Sequence, residues 1–367
     1  MQLQVPTKAL AEALSLADRI VPSRSSNPSL TQIRLEAVGS PAEALRLSGT
    51  NLELDLRASV AAEVKTAGAC VVPAQILNQV VSRVAADQVT LSASAKELTL
   101  TAGKAATRLA VGDESAFPPL DFGETAELTV DAGELRRSLT CVKYAAAVEE
   151  FRAVFRGIQF ELHGDSARVV ASDGFRLAYR DFALHSAAQR KVIVPARSVE
   201  EFLRVLRDGA AGLTLEAGSL TLHAGAVVMR ARLMEGDFPD YARVIPKEMV
   251  VGMVVDARTL ENSVARVAVL AERNSSRVDL VLANGVLRLA AEGDYGRSTD
   301  ELEVEALGKQ REYTVAFNAR YLSEAVRVME GAVQVEFSGQ SGQAAPAVFK
   351  PAEDPRHLAV IVPLRMS

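Results

Sequence analysis

The chain contains three copies of one pattern, and that repetition constrains its fold more than any other feature. The segment VPTKALAEALSLADRI begins at Val5, VDAGELRRSLTCVKYA at Val130 and VDARTLENSVARVAVL at Val255, a spacing of 125 residues both times. Leu10, Leu14 and Ala17 of the first copy correspond to Leu135, Leu139 and Val142, then to Leu260, Val264 and Val267. Offsets of four and seven residues put each trio on one helical face. Thr7, Asp131 and Asp256 stand near the expected helix starts, where a side-chain oxygen can cap free N–H groups.

A second unit recurs further along each copy. VVPAQILNQVVSRV starts at Val71, IVPARSVEEFLRVL at Ile193 and AFNARYLSEAVRVM at Ala316. Leu77, Val80, Val81 and Val84 match Val199, Phe202, Leu203 and Leu206, then Leu322, Ala325, Val326 and Met329. Each copy is a short apolar run, a Pro or Asn, and an amphipathic helix. Between the helices, runs such as QVTLSASAKELTLTAG and RVDLVLANGVLRLAAEG alternate with period two and break at small turn residues, the pattern of antiparallel hairpins. The fold class expected is therefore α+β: three repeated domains, each with two helices packed on antiparallel sheets of roughly eight strands. The matching Pro-containing stretches FPPLDF and FPDYARVIP set the domains at 1–122, 126–248 and 250–367.

Composition agrees with several cores. At 367 residues the chain exceeds what one core supports, and 49% hydrophobic residues exclude wholesale disorder. A net charge of −5 excludes a uniformly basic coat, although a basic strip on an acidic surface remains open. Such a strip is visible in the repeats. Arg197 and Arg204 lie seven residues apart, as do Arg320 and Arg327, so each pair shares a helical face away from the apolar stripe. The bland alternative is a solvated face with incidental ion pairs.

Catalytic constellations are missing from the pattern. Two cysteines in apolar stretches, Cys70 and Cys141, read as buried thiols, and the four histidines are scattered without metal-ligand spacing. No phosphate-binding Gly-rich loop or nucleophile elbow occurs, and Asp173 before Gly174 reads as a turn residue. No metal or cofactor is expected. With no apolar signal core near the N-terminus and no run approaching about 20 apolar residues, a soluble, cytoplasmic protein without a membrane association is expected.

Four segments then resemble one family, the bacterial DNA polymerase III β subunit, the replicative sliding clamp. ASDGFRLAYR at Ala171–Arg180 resembles the family's A-T-D-G-H-R-L-A, and GDFPDYARVIP at Gly236–Pro246 its G-x-F-P-D-Y-x-R-V-x-P. FNARYLSEAV at Phe317–Val326 and the terminal VIVPLRM at Val360–Met366 resemble F-N-x-R-Y-L and V-V-M-P-M-R-L. With the threefold repeat, the resemblance covers the whole chain. It implies the DNA clamp fold, closed as a head-to-tail dimeric ring with the helices toward duplex DNA and the sheets outside. The implied function is non-catalytic: encircling DNA without sequence preference and tethering the polymerase to confer processivity.

The resemblance also implies sites. Arg24 and Arg197 match DNA-facing positions, and Arg204, Arg320 and Arg327 join them on the repeated helices. A pocket for a partner peptide rich in Gln, Leu and Phe would take Phe155, Ser172, Gly174, Phe175, Arg176 and Leu177 from the second domain. Pro239, Arg243 and Val244 would follow, then Val360, Ile361, Val362, Pro363, Leu364, Arg365 and Met366. Its implied users are the polymerase α subunit, the clamp loader, and repair and translesion polymerases. The homodimer seam would set Leu109 and Val111 against Val269 and Leu270 of the partner subunit, flanked by Arg108, Asp300, Glu301 and Glu303. Phe175 stands where the family has His and Ser172 where it has Thr, which predicts a more apolar and slightly roomier pocket. Ser367 adds one residue beyond the family's usual Leu ending. Two other classes are weighed beside this one: a repeat-built enzyme with a dispersed acid pair, acting on polynucleotide or carbohydrate, and a scaffold that binds protein but not DNA.

Overall fold

The two repeated helical patterns fold as six α-helices: α1 (Thr7–Ile20), α2 (Ala74–Val81), α3 (Ala132–Lys143), α4 (Ala196–Val205), α5 (Ala257–Ala268) and α6 (Ala319–Arg327). The structure is a computed structural model that describes every residue except 42, 124, 150–152, 187–188, 309–311 and 367. Ser367 therefore lies outside the described residues. In each first helix the repeated apolar trio faces inward, and none of its nine members is more than 1% exposed. α1 packs on α2 and α5 on α6, while Lys143 at the end of α3 reaches Glu200 of α4 at 3.2 Å.

The helix starts differ in how they are capped. Asp256 accepts the Thr259 N–H at 2.8 Å, and Asn318 accepts from Arg320 and Tyr321, so both act as N-caps. Thr7 does not. It is the first residue of α1, Pro6 occupies the cap position, and the Thr7 hydroxyl donates to the Ala86 carbonyl instead. The second helix of the first copy is also short: α2 ends at Val81, leaving Val84 beyond it.

Twenty-six strands are found among the described residues, nine, eight and nine in the three copies. They form four antiparallel sheets whose membership crosses the repeat boundaries. The chain divides into two compact units, residues 1–132 with 204–233, and residues 133–203 with 234–367. In the first unit, a five-stranded sheet accompanies an eight-stranded one made by fusing four strands of each of two copies. The fusion is the pairing of Leu54–Ala61 with Val227–Arg232, Leu56 opposite Met229. In the second unit a nine-stranded sheet is fused in the same way, Arg176–Ala183 pairing with His357–Ile361, beside a four-stranded sheet. The central repeat thus contributes strands to both units.

Each of the four sheets is open and ends in two edge strands among the described residues. Ala105–Ala110 borders the five-stranded sheet of the first unit, and Gly296–Glu303 borders the four-stranded sheet of the second. Both cysteines are buried, and burial pushes each thiol up to about 11, so both are unreactive at neutral pH.

Candidate functional site

Three stretches of the second unit, together with Phe155, meet around a cleft of about 520 Å³, its open mouth included. The first is the tight turn Ser172–Leu177 between two strands. Asp173 accepts the N–H groups of Phe175 and Arg176 at 2.9 and 3.0 Å, and Gly174 takes φ of 87°, a left-handed conformation that favours glycine. Asp173 is therefore the turn residue its sequence context suggested, and it is also ion-paired with Arg176 at 3.1 Å. This turn lifts Phe175 into solvent, 49% exposed, while Leu177 drops into the core.

The second stretch is Phe238–Val244. Phe238 stacks edge-on to Phe155 at 5.8 Å between ring centroids, and Tyr241 lies 6.5 Å from Tyr179. The Tyr241 hydroxyl donates to Glu161 at 3.2 Å and receives Arg168 at 3.4 Å. Burial pushes this hydroxyl up to about 12, so it stays a neutral donor. Arg168 is held by both oxygens of Asp181 at 2.6 and 2.8 Å and lies 4.0 Å over the Tyr179 ring. Those bonds to Asp181 raise its pKa against the opposing effect of burial. Phe238 and Tyr241 pack on the core cluster of Val170, Leu177, Val348, Leu358 and Val360, which fixes this wall to the sheet.

The third stretch is the terminal strand. Val360 and Val362 line the cleft, and the Val362 N–H donates to the Phe175 carbonyl at 2.9 Å. Period-two alternation turns Ile361 to the opposite face, where it is fully buried.

The geometry gathers Phe155, Ser172, Gly174, Phe175, Arg176, Leu177, Pro239, Val244, Val360 and Val362 at one cleft. Ile361 is not among its lining residues because it faces the other side of the strand, and Pro363, Leu364, Arg365 and Met366 are not because the chain turns away after Val362. The Leu364 N–H donates to Ala316, and Arg277 donates to the Arg365 carbonyl at 3.1 Å and contacts the Met366 sulfur. Arg243 is also off the lining: its side chain is 84% exposed and tied to Asp240 at 2.9 Å. Phe238, Asp240 and Tyr241 line the cleft and were missed, although they sit inside the quoted GDFPDYARVIP segment. The aromatic pair flanking Pro239 and Asp240 was the available signal.

Among the described lining residues, Arg176 is the buried cation of this wall. Its guanidinium lies 4.4 Å over Tyr321 of α6, and it donates to Asp173 and to Glu324, also of α6. Burial works to raise the Glu324 carboxyl, but hydrogen bonds from Arg176 and Arg320 outweigh it and hold the carboxyl below its usual range.

Arg24, Arg197, Arg204, Arg320 and Arg327 are all exposed. The α6 pair carries partners: Arg320 donates to Glu324 at 3.0 Å and Arg327 to Glu261 at 2.9 Å. At exposed positions such pairs are worth about 0–1 kcal/mol and exchange readily, but they offset local charge. Of the residues expected at a seam, Arg108 and Leu109 lie on the edge strand Ala105–Ala110, with Val111 just after it. Asp300, Glu301 and Glu303 lie on the free edge strand Gly296–Glu303. Val269, 79% exposed, and the half-buried Leu270 follow α5, whose Arg266 binds Asp300 at 2.8 Å. Among the described residues, no group of three or more His, Cys, Asp and Glu is placed to hold a metal ion.

Fold and site together define a class: a three-repeat scaffold with a preformed apolar cleft and exposed arginines on its helices. Comparison with known proteins resolves it further. Models of the N-terminal, central and C-terminal domains of the DNA polymerase III beta subunit match residues 1–121, 129–240 and 242–365. A beta sliding clamp of Synechococcus elongatus is 28% identical, and one of Caulobacter vibrioides 29%, each over all of both chains. The crystal structure of the Pseudomonas aeruginosa sliding clamp bound to griselimycin superimposes with a TM-score of 0.92 at 26% identity, covering both chains completely. The chain belongs to the bacterial DNA polymerase III β subunit family. It is a non-catalytic sliding clamp that confers processivity on a DNA polymerase, and the family's arrangement is a dimeric ring.

Proposed function

We propose that this chain closes head to tail with a second copy around duplex DNA, with its three domains spanning 1–122, 126–248 and 250–367. Arg24, Arg197, Arg204, Arg320 and Arg327 then face the phosphates. Retention is topological, so their contacts serve best when weak and salt-sensitive, allowing the ring to slide. The free edge strands Ala105–Ala110 and Gly296–Glu303 support the seam, since each offers unpaired backbone groups that a partner strand would satisfy. Val269 and Leu270 would supply its apolar contact.

The cleft of Phe155, Phe175, Leu177, Phe238, Val360 and Val362 is the observation that carries the rest of the reading. Its apolar walls suit Leu and Phe side chains of a short extended peptide, while Arg176 and exposed main chain suit the peptide's polar groups. The polymerase α subunit, the clamp loader, and repair and translesion polymerases would share it in turn. No helix among the described residues is long and apolar enough to cross a membrane, and we place the protein's action in the cytoplasm. Loading on circular duplex tests encirclement. The protein should stay on closed circles at salt that strips electrostatic binders and leave when the circle is cut; equal release from circle and line would overturn the reading.

A further inference from the structure

One carboxylate lies between the cleft and the α6 surface. Glu324 receives Arg176, which lines the cleft, on one oxygen and the exposed Arg320 Nε on the other at 3.0 Å. Arg176 is only 4% exposed and is further held by Asp173 and by the Tyr321 ring, so it cannot swing to solvent without leaving a buried charge behind. Arg320 is 67% exposed and free to change partners. The two cations therefore share one negative charge, each on its own oxygen, one as part of the cleft wall and one at the surface.

We propose that Glu324 is a positioning residue through which DNA contact at Arg320 tightens peptide binding in the cleft. The proposal rests on the peptide-binding and DNA-facing readings above. When a phosphate takes Arg320, Glu324 is released to Arg176 alone. The Arg176–Asp173 turn, which carries Ser172, Gly174 and Phe175, then becomes more firmly held before the peptide arrives. A more pre-organised wall binds more tightly because less ordering remains to be done. The coupling is reciprocal: peptide in the cleft strengthens DNA contact by the same factor. Because the link is one partly exposed ion pair, the expected factor is about threefold.

The test is fluorescence anisotropy of a labelled pentapeptide of Gln, Leu and Phe against the full chain at low salt, with and without a short duplex. The wild-type chain should bind peptide about threefold more tightly with duplex present. Arg320→Ala, which leaves the Glu324 charge to Arg176 permanently, should bind peptide more tightly without duplex and show no further response to it. Glu324→Gln should weaken peptide binding and also lose the response. A merely structural role for Glu324 would predict weaker binding in that variant but no gain in Arg320→Ala. If Arg320→Ala and the wild-type chain bind alike and duplex shifts neither, the coupling is refuted while the cleft stands. If the peptide binds no form of the chain, the cleft reading itself falls, and the coupling with it.

Discussion

Arg180 donates to Asp354 at 2.9 Å from a fully buried position, beside the strand pairing that fuses the second and third repeats. The same guanidinium reaches Glu134 and Ser138 of α3, at 3.0 and 2.7 Å. A buried charge with this many partners is tolerated because they replace its water, and removing one leaves the rest undercompensated. Asp354→Asn should lower the unfolding free energy by about 3 kcal/mol, read from the urea midpoint of the full chain. A loss within experimental error would mean that the network is not needed for stability.

His357 stands opposite Arg180 in the adjoining strand, and its Nε2 is buried without a partner. Burial lowers its pKa to about 4 from the ordinary 6.5, against the favourable charge of Asp354 and with the unfavourable charges of Arg180 and Arg137. The unfolded chain therefore binds this proton below about pH 6.5 while the folded chain refuses it until about pH 4. Stability is fully present above that window and is lost as the pH falls through it, by about 3 kcal/mol in all. Asp354, which Arg180 holds below the ordinary carboxylate value despite burial, gives way only at still lower pH. Urea titrations at pH 7 and pH 5 should show the acid loss, and His357→Gln should reduce it; an undiminished pH dependence in the variant would assign the loss to other groups.

At the proposed seam, Val269 is the better probe than Leu270. Val269 is 79% exposed, so an aspartate there costs the single chain little, whereas Leu270 is half-buried beside Gly296. Val269→Asp should yield folded monomers in analytical ultracentrifugation, because an unpaired charge buried at an interface costs several kcal/mol. Leu270→Asp should do the same with some loss of thermal stability. A dimer as tight as the parent's in the Val269 variant would move the seam elsewhere.

In the cleft, Val362→Asp should weaken pentapeptide binding at least tenfold, about 1.4 kcal/mol, since Val362 lines the cleft and donates its N–H to Phe175. Removing residues from Leu364 onward should have a smaller effect, because Leu364, Arg365 and Met366 are anchored to Ala316 and Arg277 rather than to the cleft. Anisotropy titrations of both variants decide the order. Phe175→His should change which of aromatic-ended and aliphatic-ended peptides binds better, with a small change in mean affinity.

Local patterns in the sequence carried the helices well, and distant pairings were hidden. The trios at Leu10, Leu135 and Leu260 were legible because helical burial depends on residues within seven positions. Arg320 with Glu324 was equally readable as a pair four apart, but Arg327 with Glu261 was not, since sixty-six residues separate them. The fusion of the sheets was beyond local reading for the same reason: nothing near Leu56 points to Met229. In the cleft, family likeness carried the terminal run as a block. Alternation alone would have separated Val360 and Val362 from Ile361. Thr7 looked like a cap by residue type, but Pro6 already ends the preceding strand, so the helix starts one residue earlier than a Thr7 cap would allow.

The strand Leu54–Ala61 has a consequence for how the protein is made. Its neighbour in the eight-stranded sheet, Val227–Arg232, is synthesised much later, and the first compact unit includes residues through 233. The growing chain must therefore carry an open sheet edge, with Leu56 and Ala58 along it, while the whole central repeat is still emerging from the ribosome. A premature stop or a cut near residue 125 would make that exposure permanent and leave a template for aggregation. The repeats look like separable beads in the sequence, yet the first cannot finish folding until most of the second has been translated.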